Sequence, residues 1–247
     1  MIMPDAMQPV TTALVLAGGK GERLRPLTDD RPKPMVLING LPLLEYHLRW
    51  LRSQGVERTV LLTGYLGNVI EEYFSVPRVP GLHVECVHEE RPLGRGGAFK
   101  KGYQLAGQGN ALAIATNGDV LTDQALLPML ELHANSNALA TVMVAPMLSP
   151  YGVVDVDGDS KVASFREKPT LPFWINAGVY VFSAEVLERF PDVGDHETEV
   201  FPALAKEGRI AAYRSEAYWK SVETAKDLRE AEEFLANHDT FNQGATA

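Results

Sequence analysis

A glycine-rich segment that follows an apolar run constrains the fold of this chain more than any other feature. Residues 14–17 are apolar, and glycines follow at positions 18, 19 and 21. Glycines let backbone N–H groups approach a ligand closely. Five cations lie within or just after this segment: Lys20, Arg23, Arg25, Arg31 and Lys33. Together these residues predict a pocket for a polyphosphate at the end of a buried strand.

Composition restricts the partners of such a pocket. The chain has 247 residues, which suits one large α/β domain or two small ones. Its 45% of hydrophobic and 22% of charged residues are ordinary for a globular protein. The formal net charge of −9 disfavours a general nucleic-acid binder. A local group of cations on an acidic chain favours a small anionic ligand instead.

Cysteine usage and hydropathy indicate where the protein works. Cys86 is the only cysteine, which excludes an intrachain disulfide and fits a reducing cytosol. The sequence has neither a secretory signal pattern nor an apolar run of membrane-spanning length. We therefore expect a cytoplasmic protein with no membrane partner. The six histidines show no metal-ligand spacing.

Strand and helix patterns alternate through the first 145 residues. Short apolar or alternating runs predict strands over 12–17, 59–63, 82–88, 111–116 and 138–145. Helical spacing predicts helices over 42–54, 66–74, 94–106 and 124–136. The alternation predicts a Rossmann-like, mostly parallel α/β sheet with helices on both faces. Ligands of such sheets bind beyond the carboxyl ends of the strands, where the glycine-rich segment and residues 117–119 fall.

The pattern changes after residue 145. Two predicted strands, 151–156 and 161–167, flank Asp157-Gly158-Asp159, which is a hairpin signal. Three more elements are predicted: a strand over 177–182 and helices over 198–207 and 224–236. We expect one domain with two lobes over 11–236, and flexible tails over 1–10 and 237–247.

Two common phosphate-binding motifs do not match the glycine-rich segment. Leu24 stands where a dinucleotide fingerprint needs its third glycine, which disfavours a nicotinamide-dependent oxidoreductase. No Gly-Lys-Ser/Thr occurs at the spacing of a Walker A loop. Pro26 and Pro34 fix the backbone near the cations, which a plain surface turn does not require.

The segment 16–28, together with Pro-Lys-Pro at 32–34, resembles the signature of sugar-1-phosphate nucleotidyltransferases. Further motifs of that family appear in order at 92–97, 117–119, 151–154, 167–169 and 175–180. The resemblance runs from residue 12 to about residue 234. The runs 88–94 and 199–208 look most like mannose-1-phosphate guanylyltransferases.

The resemblance implies a fold and a reaction. The fold is that of nucleotide-diphospho-sugar transferases, with a nucleotide-binding part over 11–145 and a smaller sugar-phosphate-binding β lobe over 146–236. The partners are a nucleoside triphosphate and a sugar 1-phosphate, the cofactor is Mg²⁺, and pyrophosphate leaves. Because the attacking oxygen belongs to the substrate, the protein supplies positioning and charge neutralisation rather than a nucleophile.

The resemblance also implies roles for individual residues. Arg23 would hold the leaving phosphates, Lys33 would lie near the reacting phosphates, and Asp119 would hold the metal. These three are the implied catalytic residues. The implied nucleotide-binding residues are Leu16, Ala17, Gly18, Gly19, Gly21, Arg23, Glu89, Gly94 and Asn117.

A second set of residues is implied for the sugar phosphate. Lys168 would bind the phosphate, and Glu167 would accept hydrogen bonds from sugar hydroxyls. Asn176 and the backbone near Gly152 would complete that site, and Glu199 is a further candidate. A charged pair before a proline is usually only a solvated strand end, and the order of the motifs favours a functional role.

The sequence departs from the family pattern at the usual second metal ligand. The family has an aspartate in Trp-x-Asp-x-Gly-Thr, and here Ser221 stands at the aspartate position and Glu223 at the glycine position. Three hypotheses follow. Asp119 and substrate phosphates hold the metal alone, Glu223 turns into the site, or the chain binds nucleotide sugars without efficient turnover. Arg95 is a second departure, since it adds a cation where the family commonly has a small residue.

The most detailed expectations concern the identity of the base and of the sugar. Guanine presents two adjacent donors, N1–H and N2–H₂, which a carboxylate such as Glu89 accepts together. The resemblance to mannose-1-phosphate guanylyltransferases implies GTP and mannose 1-phosphate as substrates, and Glu89 agrees with guanine as the base. Thymidylyl or uridylyl transfer to glucose 1-phosphate, guanylyl transfer to a heptose 1-phosphate, and a regulatory nucleotide-sugar-binding protein stay open. Homo-oligomerisation also stays open.

Overall fold

The computed structural model describes residues 10–107 and 111–236, and its centre is a seven-stranded mixed sheet. The strands in chain order are β1 (Thr12–Leu16), β2 (Leu37–Ile38), β3 (Leu41–Pro42), β4 (Arg58–Thr63), β5 (His83–His88), β6 (Leu112–Asn117), β7 (Val120–Thr122), β8 (Ala140–Leu148), β9 (Val153–Val156), β10 (Val162–Arg166), β11 (Thr170–Ser183), β12 (Ile210–Arg214) and β13 (Trp219–Ser221). The helices are α1 (Leu43–Ser53), α2 (Gly67–Tyr73), α3 (Gly94–Ala106), α4 (Leu127–Asn135), α5 (Ala184–Arg189), α6 (His196–Glu199), α7 (Phe201–Lys206) and α8 (Ala225–Ala236). Two short 3-10 turns cover Glu22–Leu24 and Lys33–Met35.

The strand order of the central sheet is β12-β8-β11-β6-β1-β4-β5. Strand β1 pairs in parallel with β4 and β6, β4 pairs in parallel with β5, and β12 pairs in parallel with β8. Strand β11 is antiparallel to both of its neighbours, β6 and β8. The predicted mostly parallel α/β sheet is therefore confirmed, with one antiparallel strand near its middle.

Two apolar cores lie on the two faces of the sheet. Ala13 and Val15 enter one core and Leu14 enters the other, because successive side chains of a strand point to opposite faces. Leu48 of α1 packs in the first core and Phe99 of α3 in the second. Burial on both faces explains the continuous apolar run of β1.

Several predicted elements have different bounds in the structure. The helix predicted over 198–207 is divided into α6 and α7 at Val200, and Pro202 lies in the first turn of α7, where a missing N–H is tolerated. The helix predicted over 124–136 is the shorter α4, and the strand predicted over 177–182 is the end of the long β11. Strand β12 was not predicted, because its partly exposed residues lack a clear apolar alternation.

Two small strand pairs lie beside the central sheet. Strands β9 and β10 form the predicted antiparallel hairpin, and β7 pairs antiparallel with β13. The expected tails, apart from Val10, lie outside the described residues. Among the helices that the structure describes, none combines the length and the apolar character needed to cross a bilayer.

Candidate functional site

A cleft of about 450 Å³ opens at the carboxyl ends of β1 and β6. Its walls come from the glycine-rich segment, the turn before α3 and the residues that follow β6 and β13. The lining residues are Leu16, Gly18, Gly19, Lys33, Pro34, Leu62, Glu89, Pro92, Gly94, Arg95, Ala98, Asn117, Asp119 and Glu223. Eight of the residues that sequence analysis implied are in this set: Leu16, Gly18, Gly19, Lys33, Glu89, Gly94, Asn117 and Asp119.

The glycine-rich segment folds back so that Lys33 lies beneath it. The Lys33 N–H donates to the Gly19 carbonyl at 3.2 Å, and Thr28 Oγ1 donates to the Gly21 carbonyl at 2.8 Å. Gly21 has φ +63°, and a Cβ built on it would lie 2.8 Å from Lys33 Cβ. Both the positive φ and the close approach to Lys33 therefore require glycine at position 21. Ala17, just before the segment, is fully buried.

Two cations and two carboxylates form a paired cluster, of which Lys33, Asp119 and Glu223 line the cleft and Arg23 reaches Glu223 from outside the lining. Lys33 Nζ lies 2.5 Å from Asp119 Oδ2 and 2.5 Å from Glu223 Oε1, so these two oxygens lie within about 5 Å of each other. Arg23 Nη2 lies 2.7 Å from Glu223 Oε2. The Lys33 side chain is 7% exposed, so its charge requires these partners. An ammonium has three N–H donors, and the carboxylates accept two of them, which leaves one for a phosphate oxygen.

The pairing of β13 with β7 brings Glu223 beside Asp119. Ser221 lies opposite Val120, and the Val222 N–H donates to the Asp119 carbonyl at 3.1 Å. Ser221 Oγ donates to Glu223 Oε1 at 3.1 Å. The carboxylate next to Asp119 thus comes from position 223, while the hydroxyl at position 221 supports it.

The donor set of this cluster fits Mg²⁺ held together with substrate oxygens. Asp119 Oδ1 and Asn117 Oδ1 are buried without a hydrogen-bond partner in the structure. Mg²⁺ is commonly bound through one or two carboxylates, with water and phosphate oxygens in its other positions. Over residues 10–107 and 111–236, no group of three His, Cys, Asp or Glu side chains is arranged to hold a metal. Asp119 and Glu223 therefore suit a shared site rather than an all-protein cage.

Glu89 lies at the end of the cleft that is formed by the turn before α3. The Leu93 N–H donates to Glu89 Oε2 at 3.1 Å. Burial raises the pKa of the Glu89 carboxyl above its ordinary value, although the Leu93 N–H acts in the opposite direction. A partly desolvated carboxylate that keeps free lone pairs suits recognition of hydrogen-bond donors on a base.

The residues implied for the sugar phosphate lie outside the lining of this cleft. Lys168 Nζ lies 3.8 Å from Glu167 Oε1, both side chains are more than half exposed, and both follow β10. A Cβ on Gly152 would lie 3.0 Å from Glu167 Oε2, so the structure brings Gly152 and Glu167 together.

Asn176 and Glu199 make contacts that sequence analysis did not anticipate. Asn176 Nδ2 donates to Glu197 Oε1 at 2.8 Å and to the Tyr180 hydroxyl at 2.9 Å. Glu199 Oε1 accepts the Asp195 N–H at 2.8 Å and so supports the turn before α6. Sequence analysis missed Glu197, and the signal available was the alternation of acids at 195, 197 and 199.

Arg95 lines the cleft but is not a free cation there. Its Nε and Nη2 donate to Asp195 Oδ2 at 2.8 and 2.5 Å, and Nη2 lies 2.8 Å from Glu197 Oε2. Two carboxylates thus share one guanidinium. The cation that sequence analysis expected at this position is neutralised by residues one hundred positions away.

Comparison with known proteins places these features in a family. The family model described as nucleotidyl transferase matches residues 12–238. Mannose-1-phosphate guanylyltransferase of Mycobacterium tuberculosis is 39% identical over 225 residues, which are 87% of this chain and 62% of that protein. This chain therefore spans less than two thirds of the length of that relative.

Two further proteins match over nearly their whole length. D-glycero-alpha-D-manno-heptose 1-phosphate guanylyltransferase of Aneurinibacillus thermoaerophilus is 32% identical, covering 92% of this chain and 99% of that protein. The crystal structure of HddC from Yersinia pseudotuberculosis superimposes with a TM-score of 0.74 at 29% identity, covering 90% of this chain and 98% of that one.

Proposed function

Because the chain belongs to the nucleotidyl transferase family, we propose that it joins a nucleoside triphosphate to a sugar 1-phosphate and releases pyrophosphate. The proposed pair is GTP and mannose 1-phosphate. The observation that carries the proposal is the cluster of Arg23, Lys33, Asp119 and Glu223 in the cleft beyond β1 and β6. Such a cluster provides cations for phosphates and carboxylates for a divalent metal at one point.

The proposed reaction needs no nucleophile from the protein. A phosphate oxygen of the sugar 1-phosphate bonds to the α-phosphorus of the triphosphate. The bond from that phosphorus to the oxygen bridging it to the β-phosphate breaks, and its electron pair leaves with pyrophosphate. The protein lowers the barrier by holding the two substrates in line and by neutralising the charge that develops.

Arg23 and Lys33 have different roles in this scheme. The side chain of Arg23 is 72% exposed and reaches the cleft from its rim, so its planar fork suits the leaving pyrophosphate. Lys33 is buried between two carboxylates, and its third N–H suits the reacting phosphates. Mg²⁺, when bound by Asp119 and Glu223, supplies further charge neutralisation for the phosphate oxygens.

The choice of guanine rests on Glu89. Its carboxylate lines the cleft, and the Leu93 N–H holds one of its oxygens. Guanine offers two adjacent donors to such a group, whereas uracil and thymine offer one donor between two acceptors. Both the mycobacterial and the Aneurinibacillus relatives are named as guanylyltransferases, which supports the same base.

A heptose 1-phosphate is the second candidate for the sugar. The observation that favours it is the Aneurinibacillus relative, which is named as a heptose 1-phosphate guanylyltransferase and is 32% identical over 92% of this chain. Mannose 1-phosphate stays the first candidate because the relative named for it is 39% identical to this chain, whereas the heptose relative is 32% identical. The two sugars present a similarly configured ring to the site and differ by one carbon.

Pyrophosphate release with Mg²⁺ tests the proposal directly. The purified chain is assayed with GTP, UTP, dTTP and ATP against mannose, glucose and heptose 1-phosphates. We expect the highest kcat/KM for GTP with mannose 1-phosphate, and a Lys161→Met control with unchanged rates, since Lys161 lies on the exposed hairpin. Higher kcat/KM with the heptose establishes the second candidate. If every pair is silent while calorimetry detects GDP-mannose binding, the chain is a nucleotide-sugar-binding protein and the proposal is wrong.

A further inference from the structure

Arg95 lines the cleft and pairs with Asp195 and Glu197, which lie behind this lining, in a charge cluster that the proposed chemistry does not use. We propose that Glu197 accepts hydrogen bonds from hydroxyls of the sugar ring, and that Arg95 is a positioning residue that holds Glu197 for this task. The inference rests on the proposed function and assigns a sugar-recognition residue to it.

The carboxylate of Glu197 is held from both sides. Its Oε1 accepts the Tyr180 hydroxyl at 2.7 Å and Asn176 Nδ2 at 2.8 Å. Its Oε2 lies 2.8 Å from Arg95 Nη2. In the part of the chain that the structure describes, no other partner of Oε2 occurs within hydrogen-bonding distance. A carboxylate oxygen has two lone pairs, so a fixed acceptor position stays open on Oε2.

The surroundings of Glu197 determine which way each hydrogen bond runs. Tyr180 is fully buried, and burial together with the nearby Glu197 charge raises its pKa well above the ordinary value. Tyr180 therefore stays protonated and donates. The amide of Asn176 is oriented by the Gly178 N–H, which donates to Asn176 Oδ1 at 2.9 Å. Both partners donate to Glu197 Oε1, so together they fix the orientation of this carboxylate.

The charge balance of the cluster favours hydroxyl groups over phosphates. One guanidinium faces two carboxylates, so the cluster carries a net charge of about −1 near neutral pH. A phosphate would be repelled there, while a hydroxyl gains a charge-assisted hydrogen bond. Arg23 and Lys33 belong to the other cluster, where Asp119 and Glu223 balance their two charges. The cluster around Arg95 is therefore the more acidic of the two by about one unit of charge, which suits hydroxyl donors.

Arg95 connects the lining of the cleft to the carboxylates of α6. It lies in the first turn of α3 and lines the cleft, whereas its carboxylate partners lie at the start of α6. The backbones of these two segments are also tied, since the Gly96 N–H donates to the Gly194 carbonyl at 3.0 Å and the Gly194 N–H to the Leu93 carbonyl at 2.8 Å. The turn before α3 and the start of α6 are therefore joined both by backbone hydrogen bonds and by Arg95.

Binding and kinetics of Glu197→Gln test the inference. Calorimetry compares GDP with GDP-mannose, so that the gain in affinity from the sugar is measured even without turnover. We expect this gain to fall by roughly 10- to 100-fold in Glu197→Gln, the range for a lost hydrogen bond to a charged group, while the Kd for GDP stays within about twofold. In pyrophosphate release, the KM for the sugar 1-phosphate rises by a similar factor and the KM for GTP does not.

The Arg95 variants separate positioning from mere structural support. Arg95→Met is expected to show the same selective loss for the sugar, and Arg95→Lys to recover part of it. The matched control is Glu185→Gln, which removes an exposed carboxylate paired with Arg189. Monodeoxy sugar 1-phosphates complete the test, because wild type should lose affinity for one analogue that Glu197→Gln does not distinguish from the parent sugar.

The outcomes of these experiments are distinguishable from failure of the proposed function. If wild type turns over substrate and Glu197→Gln keeps the full gain from the sugar, the inference is wrong and the proposed function stands. If Arg95→Met changes only the affinity for GDP or GTP, Arg95 acts on the nucleotide and its positioning role is refuted. If wild type binds GDP-mannose no more tightly than GDP, neither residue recognises the sugar.

Discussion

Replacing Ser221 by aspartate tests where the second carboxylate of the cluster comes from. Ser221 Oγ lies 3.1 Å from Glu223 Oε1 and donates to it. In Ser221→Asp, a hydrogen-bond donor becomes an anion beside another anion. Without a metal ion, we expect this change to destabilise the protein rather than to restore a missing ligand.

The size of the effect follows from the distance. Two unit charges 3.1 Å apart repel by about 5 kcal/mol at an effective dielectric constant of about 20. The new carboxyl escapes this repulsion by binding a proton, which costs about 4 kcal/mol at pH 7 for a group whose ordinary pKa is about 3.9. Protonation therefore limits the loss of unfolding free energy to about 4 kcal/mol. The nearby cations Arg23 and Lys33 reduce this loss further, to about 2–4 kcal/mol.

Urea unfolding followed by circular dichroism measures this loss. The folded-state pKa of the new carboxyl lies above its unfolded value, so the penalty is present at pH 7 and shrinks as pH falls towards about 4. Added Mg²⁺ should reduce the penalty as well, because a divalent cation between two carboxylates replaces repulsion with attraction. We also expect pyrophosphate release no faster than in wild type.

Ser221→Asn is the control, since it has the same size as the aspartate without its charge. The reasoning is refuted if Ser221→Asp and Ser221→Asn have equal free energies of unfolding at pH 7 without metal. It is refuted equally if Ser221→Asp turns over substrate several-fold faster than wild type, because Glu223 then does not replace the carboxylate.

Three further predictions concern single side chains. Lys33→Met leaves Asp119 and Glu223 without their shared cation, and we expect a loss of about 3–5 kcal/mol in urea unfolding with pyrophosphate release roughly 100-fold slower. Unchanged stability would show that the pairing contributes nothing. Glu89→Gln should lower the kcat/KM preference for GTP over UTP by about 10-fold, and an unchanged ratio would contradict base recognition by Glu89. His196 is fully buried, and burial lowers its pKa to about 4, below its unfolded value of about 6.5. Stability should therefore fall as pH drops from about 6.5 to about 4, and His196→Phe should remove up to about 1.4 kcal/mol per pH unit of that slope in urea titrations. Equal pH slopes for the two proteins would refute this.

The nucleotide side of the site was largely predictable because its residues are close in sequence. The apolar run, the glycines and Lys33 lie within one stretch of chain, so a strand and the turn after it bring them together. Asp119 was accessible to the same reasoning, since it follows a second buried strand that ends at the same edge. The roles assigned to these residues stay predictions, whereas the α/β fold is confirmed.

The pairing of distant residues was not predictable in this way. The step from Ser221 to Glu223 places both on one side of an extended chain, but only the register of β13 against β7 brings Glu223 within reach of Lys33. Strand β13 has only three residues, Trp219–Ser221, which is too short for a periodic signal. Glu197 was missed for a similar reason, because its partners Asn176, Tyr180 and Arg95 come from two other elements.

The sequence alone determined the class of fold and predicts a phosphate-bearing ligand, because both inferences depend on local patterns. Burial on both faces of a strand, a glycine turn and a group of cations are all encoded within short stretches of chain. The tertiary structure decided which charged side chains of the site are paired with each other. Whether Arg95 is a free cation, and whether a carboxylate stands beside Asp119, depends on ion pairs between residues about one hundred positions or more apart. The glycine-rich segment therefore predicts phosphate binding from its local pattern, whereas the packing of β13 and α6 around the cleft determines which carboxylates pair with Lys33 and Arg95.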